Sequence, residues 1–197
     1  MPPKATTSPR GAAQFYPIGE AVPGRDPHEV VIGISPAFGQ RLHRTTAGHT
    51  VTDVLDALTK GILEGGALPR VVRIRHTADT SFLGLTAARL AGSGFGIGIQ
   101  AKGTAIIHQK DRLPHMNLEL FSNAPLVSLA QYRAMGRNAG RMTWGELPEP
   151  IIVTNDGQAL GARFHPRVAL LYAIETEMTE PGAAPEEMFF ASTERNA

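Results

Sequence analysis

Apolar positions along the chain change their period repeatedly, and each change marks an element. Residues 30–34 form a short, nearly continuous apolar run, the pattern of a strand buried on both faces. Ser35-Pro36-Ala37-Phe38-Gly39 breaks it. Val51, Val54, Leu55, Leu58, Ile62 and Leu63 then recur at helical spacing, which predicts a helix over 51–64 stopped by Gly65-Gly66. Thr50 with Asp53 three residues on resembles a capping box at its start. A second strand is predicted over 71–74 and a second helix over 81–90, ended by Gly92. Residues 95–100 and 104–107 read as two more strands, and Pro125 and Ser128 open a third helix over 129–142. Residues 151–153 have the composition of a further strand. Residues 168–178 fit either a strand or a helix starting near Pro166.

This alternation predicts an α/β three-layer sandwich, with a mixed, mostly parallel sheet of about five strands flanked by helices. The short join between the strands at 95–100 and 104–107 calls for a hairpin, hence the mixed sheet. Residues 1–27 are rich in Pro, Ala, Gly and Thr, and read as a flexible N-terminal arm. The folded domain is then expected over 28–179, with a C-terminal tail over 180–197.

The segment from Gly92 to Thr104 is the most informative. In a strand, Phe95, Ile97 and Ile99 point to one face, and Gly94, Gly96 and Gly98 to the other. Glycine weakens a strand, so a face without side chains needs close approach by something. Either a helix of the same chain lies tightly on it, or a broad flat ligand or a partner subunit does. Nucleotide motifs fail here. The third glycine of G-x-G-x-x-G is replaced by Ile97 or Ile99, and Lys102-Gly103-Thr104 has glycine after lysine, unlike a P-loop.

Composition narrows the chemistry further. The net charge of +1 argues against a nucleic-acid binder. No apolar run approaches a membrane span, no secretory signal opens the chain, and a cytoplasmic location is expected. With no cysteine, disulfides, thiolate zinc sites and cysteine nucleophiles are excluded. The seven histidines form no H-E-x-x-H or other metal spacing, and no G-x-S-x-G elbow occurs. Arg133, Arg137 and Arg141 share one face of the third helix, as a solvated stripe or a match for a partner's acidic patch. Gly136 and Gly140 would let that helix approach another element closely. Asp79 reads as an N-cap, and Lys102 as a loop lysine. No self-sufficient active site is visible.

Four stretches together resemble the medium subunit of coenzyme-B12-dependent diol and glycerol dehydratases. They are EVVIGISPAFG at 29–39, ADTSFLGLTAARLAGSGFGIGIQAKGTAIIHQ at 78–109, NLELFSNAPL at 117–126 and YRAMGRNAGR at 132–141. The resemblance implies a heterotrimer with large and small dehydratase subunits, usually doubled, and served by a reactivating factor. It implies base-on adenosylcobalamin shared with the large subunit, which holds the substrate and performs the radical conversion of a 1,2-diol or glycerol to an aldehyde and water. The D-x-H-x-x-G motif of base-off binders is missing: Asp26-Pro27-His28 begins it, but Val31 stands where glycine is needed.

By the same resemblance Asp79, Lys102 and Asn117 are cobalamin contacts, Arg163 is a fourth candidate, and no catalytic residue or metal ligand is assigned to this chain. Cobalamin's phosphate favours a nearby ammonium, and its peripheral amides need the donors and acceptors that Asp and Asn supply. The chain departs from the family at His115, at Ser122 and in an insertion over 155–163, and its arm lacks the amphipathic helix that targets some relatives to microcompartments. The alternative is the small subunit of the dehydratase-reactivating chaperone, which binds a partner and no cofactor. The SGxGIGIQxKGT and NLELF runs favour the dehydratase subunit.

Overall fold

The computed structural model describes residues 14–122, 124–154 and 160–191. Among these, seven strands form one sheet: β1 (Gln14–Glu20), β2 (Glu29–Ile34), β3 (Leu68–Arg73), β4 (Phe95–Ile99), β5 (Ala105–Gln109), β6 (Glu119–Phe121) and β7 (Glu186–Ala191). Their order is β1-β7-β3-β2-β4-β5-β6. Four α-helices complete the fold: α1 (Val51–Glu64), α2 (Thr80–Leu90), α3 (Leu129–Met142) and α4 (Leu160–Glu177).

The α/β class and the layered arrangement hold, but the sheet is not mostly parallel. Only the pairings of β2 with β3 and of β2 with β4 are parallel; the other four are antiparallel. The excess comes from the chain ends. Residues 14–20, expected in the flexible arm, form β1, and residues 186–191, expected in the tail, form β7 between β1 and β3. The limits 28–179 therefore cut off two strands of the sheet. Ion pairs reinforce this strand pairing: Arg70 on β3 forks onto Glu187 of β7 at 2.6–3.0 Å, and Arg75 reaches Glu186 at 3.2 Å. Residues 151–153 form no strand, and 168–177 belong to α4, which runs through Pro166 and ends just before Met178.

Helices α1 and α3 cover one face, over Val30, Ile32, Ile34, Ile97, Ile99 and Ile107. Helix α2 covers the other, over Val31, Val72 and Ile74. The expected close approach of α3 is present. A β-carbon on Gly140 would lie 2.7 Å from the Ile62 carbonyl of α1, and one on Gly65 would lie 2.5 Å from the Arg137 carbonyl of α3. The arginine stripe is consumed within the chain. Arg133 and Arg137 both grip Glu64 of α1 and hold its carboxyl below the usual range, while Arg141 pairs with Glu146 at 2.6 Å and with Glu149.

Caps fall where the sequence places them. Thr50 Oγ1 accepts from Asp53 N at 3.1 Å, Asp79 Oδ1 accepts from Ser81 N and Phe82 N, and Ser128 forms a full capping box with Gln131. No helix among the described residues is long and apolar enough to cross a membrane.

Candidate functional site

The glycine face of β4 is taken by the chain itself. A β-carbon on Gly98 would strike Gly84 N and lie 2.7 Å from Gly84 Cα and Thr80 O; one on Gly96 would lie 2.6 Å from the Ala87 carbonyl carbon. Helix α2 thus sits directly on the strand, backbone to backbone. With α2 there, Gly96 and Gly98 leave no room for a broad ligand or a partner, so the link between these glycines and a flat cofactor fails. The nearest atoms to a β-carbon on Gly94 would be those of the flexible Lys110 side chain, and Gly94 adopts φ +80°.

Polar chemistry gathers instead at the carboxyl ends of β2 and β4, where chain connections leave in opposite directions, the usual place for a site in an open α/β sheet. The β4–β5 connection is a tight turn. Gly103 N donates to Gln100 O at 2.9 Å, and Gln100 N to Thr104 O at 3.0 Å. Gly103 adopts φ +104°, and a side chain there would collide with Tyr132 Oη. The turn is clamped from three sides. Tyr132 of α3 donates to Gly103 O at 2.6 Å, Thr46 donates through both N and Oγ1 to Lys102 O, and Ala101 N donates to Glu175 Oε1 at 2.7 Å. Burial pushes the Tyr132 hydroxyl well above its ordinary value, so it stays a donor.

Lys102 is half-buried at the tip. Its Nζ meets Thr104 Oγ1 at 2.5 Å and forms no ion pair among the described residues, leaving donor capacity unused. Burial pulls its pKa down, and the negative charge of Glu175 opposes that pull. Gln100 Nε2 donates to Ala78 O, tying the turn to the start of α2, while Gln100 Oε1 is buried without a partner among the described residues. Asp79 therefore lies at the same end of the sheet as Lys102. Its Oδ1 is spent on the α2 cap, and Oδ2 has no hydrogen-bond partner among the described residues.

Asn117 stands farther away, just before β6, which pairs Glu119 with Ile107. Two contacts bridge the gap. Buried His108 reaches the carbonyls of Leu113 and Pro114 at 3.1 and 3.0 Å, and His115 meets the Phe82 ring edge-on at 6.2 Å. Phe82, Leu113, Met116 and Leu120 leave an apolar surface beside it that is 44–70% exposed. Arg163 falls in the first turn of α4, and its side chain lies outside the described residues. His28, from the near-miss of the base-off motif, is occupied elsewhere: its ring stacks on Trp144 at 3.5 Å, and Nδ1 lies 3.3 Å from Thr143 Oγ1.

Sequence reasoning missed Glu175, which is wholly buried. It accepts from Ser35 Oγ at 2.6 Å, Ala37 N at 3.1 Å and Ala101 N at 2.7 Å. Val168, Leu171, Glu175 and Met178 lie at spacings of three and four, so a lone carboxylate interrupting an apolar helical stripe was the available signal. Burial raises its pKa from the ordinary 4.5, against the hydrogen bonds, which lower it. Below pH 4.5 both folded and unfolded chains hold this proton. As pH climbs from there through the raised folded value, the unfolded chain releases it first, and stability falls. The urea midpoint of the chain is expected to carry this declining component, and Glu175→Gln to lack it. Parallel pH profiles for the two proteins would refute the assignment.

A family model described as dehydratase medium subunit matches residues 35–149. A solved structure described as "Glycerol dehydratase reactivase" is 21% identical, with a TM-score of 0.50 over 61% of this chain and 95% of that one, and shares the fold. Another, "Structure of diol dehydratase-reactivating factor complexed with ADP and Mg2+", is 18% identical, with a TM-score of 0.46 over 64% of this chain and 99% of that one.

Proposed function

The chain belongs to the dehydratase medium-subunit family, and on that premise we propose that it is the non-catalytic medium subunit of a diol or glycerol dehydratase, binding base-on adenosylcobalamin where it meets the large subunit. The observation that carries the reading is Lys102: a half-buried ammonium with one hydroxyl partner, fixed on a clamped turn at the open end of the sheet. Desolvating a lysine is costly, and an ammonium left short of partners suits an incoming anion such as the cofactor's phosphate.

The other residues fit the same ligand. Asp79 Oδ2 is an acceptor for an amide N–H, and the Asn117 side chain offers both a donor and an acceptor with no hydrogen-bond partner among the described residues. The apolar surface of Phe82, Leu113, Met116 and Leu120 suits burial against a large subunit. His28, held by Trp144 and Thr143, is no candidate to replace the cofactor's own base.

Adenosylcobalamin, when bound, supplies the radical chemistry of the dehydration. Lys102, Asp79 and Asn117 would orient the cofactor, balance the charge of its phosphate and pair its amides.

Co-expression with the large and small subunits, followed by adenosylcobalamin titration read by corrin absorbance, tests this. Lys102→Ala should weaken binding roughly tenfold, the worth of one charge-assisted hydrogen bond. Unchanged affinity would reject Lys102 as a contact. Purification with an ATPase-like partner and no cobalamin binding would move the chain to the reactivating chaperone.

A further inference from the structure

We propose that Glu175 is the positioning residue for Lys102: its buried carboxylate seats the turn that carries the lysine and places a negative charge behind the ammonium. The inference rests on the reading of Lys102 as an anion contact, and extends the site to a helix beyond the matched family region, since α4 begins at Leu160.

Three observations carry it. First, the carboxylate is bound as a ligand would be. Oε1 takes Ser35 Oγ and Ala101 N, and Oε2 takes Ala37 N, so donors from the ends of both β2 and β4 converge on one group. Ser35 Oγ also lies 3.2 Å from Ala101 N, which closes the cradle. Second, the surroundings are built for polarity. Ser35, Thr45, Thr46, Gln100, Thr104 and Glu175, most of the buried polar residues among those described, cluster around this turn. Third, a buried carboxylate is expensive, and packing gives no reason for it, because an apolar residue would complete the stripe of Val168, Leu171 and Met178 at lower cost.

Lys102 supplies the reason. The peptide N–H next to it is the one Glu175 holds, and the negative charge of Glu175 opposes the desolvation of the ammonium. The carboxylate's charge opposes the desolvation of the lysine, and the hydrogen-bonded turn sets the direction of its side chain. Without it, burial alone acts on Lys102.

The test reads Lys102 itself, in the full chain and without cobalamin. The sequence holds four lysines, at 4, 60, 102 and 110, so carbon-13-methylated lysines give few signals, and Lys102→Arg assigns the one required. In Glu175→Gln and Glu175→Ala, Lys102 should titrate at lower pH than in the parent. Formate, a carboxylate small enough for the emptied cradle, should restore the titration in Glu175→Ala. In the assembled enzyme Glu175→Gln should weaken adenosylcobalamin binding roughly tenfold.

An unmoved Lys102 titration in a folded variant overturns the proposal. So does a chain that fails to fold with either substitution, since Glu175 would then be a structural residue. If the titration moves and formate restores it while cobalamin affinity holds, positioning stands and Lys102 falls as a cobalamin contact.

Discussion

Gly98→Ala should lower the unfolding free energy of the chain by about 3 kcal/mol, the upper part of the range for forcing an extra methyl into a packed interior. The atoms nearest the added carbon would all be backbone of α2: Gly84 N, Gly84 Cα and Thr80 O. Backbone cannot swing away as a side chain can, so the whole of α2 must lift from β4. That in turn opens the contacts of Leu83 and Ala87 with Val31, Val72 and Ile74. Gly94→Ala is the control. The atoms nearest its methyl are those of the Lys110 side chain, and its cost is the positive φ, about 1 kcal/mol. Urea unfolding of the two variants should separate them clearly. A Gly98→Ala chain as stable as the parent would mean that α2 does not rest on the strand, and the glycine face would return as a ligand surface.

That comparison also shows what the sequence could and could not carry. The alternation of Phe95, Ile97 and Ile99 against the glycines was legible, because strand geometry fixes the faces whatever lies on them. The identity of the occupant was not, because Gly84, Ala87 and Ala88 are unremarkable in a helix and become specific only when laid on Gly96 and Gly98. Helices α1 and α3 were legible to their ends, since apolar period and N-caps agree in both, and Gly65-Gly66 stops α1. Strand β1 was not. It lies at the sheet edge, carries Pro17 and Gly19 in a register shift, and leaves Tyr16 and Ile18 exposed, so no alternation survives in its sequence.

The site divides in the same way. Lys102 and Asp79 stand inside motifs that the family resemblance picks out, and local turn and cap chemistry places them at one end of the sheet. Glu175 is fixed by partners more than seventy positions away, at Ala101, Ala37 and Ser35. Helix propensity treats it like Glu177, two residues on, which is exposed and pairs with Arg41 at 3.3 Å. Only the apolar stripe around it marks the difference.

Arg73→Ala should cost about 3 kcal/mol, and Arg73→Met much less. Arg73 ends β3 and is 3% exposed. Its guanidinium lies over the Phe15 ring of β1 at 5.5 Å, donates to Phe38 O at 3.0 Å and faces Glu186 of β7 at 3.6 Å. Burial pulls its pKa down, Glu186 pushes back, and Nε has no partner among the described residues. An incompletely satisfied buried charge of this kind adds little net stability, yet its removal leaves the Phe38 carbonyl unpaired and the Phe15 ring unsupported. Alanine therefore suffers the loss of packing together with the orphaned carbonyl, whereas methionine refills the volume and keeps the face of Phe15 covered. Unfolding in urea gives the order, and amide exchange at Phe15 and Met188 shows whether β1 and β7 loosen first. Phe38 follows Ala37, whose N–H is one wall of the Glu175 cradle, so Arg73→Ala should also disturb the Lys102 turn from the far side of the sheet. If alanine costs less than about 1 kcal/mol, the chain ends are held by Arg70 and Arg75 alone, and the coupling of the terminal strands to the site is withdrawn.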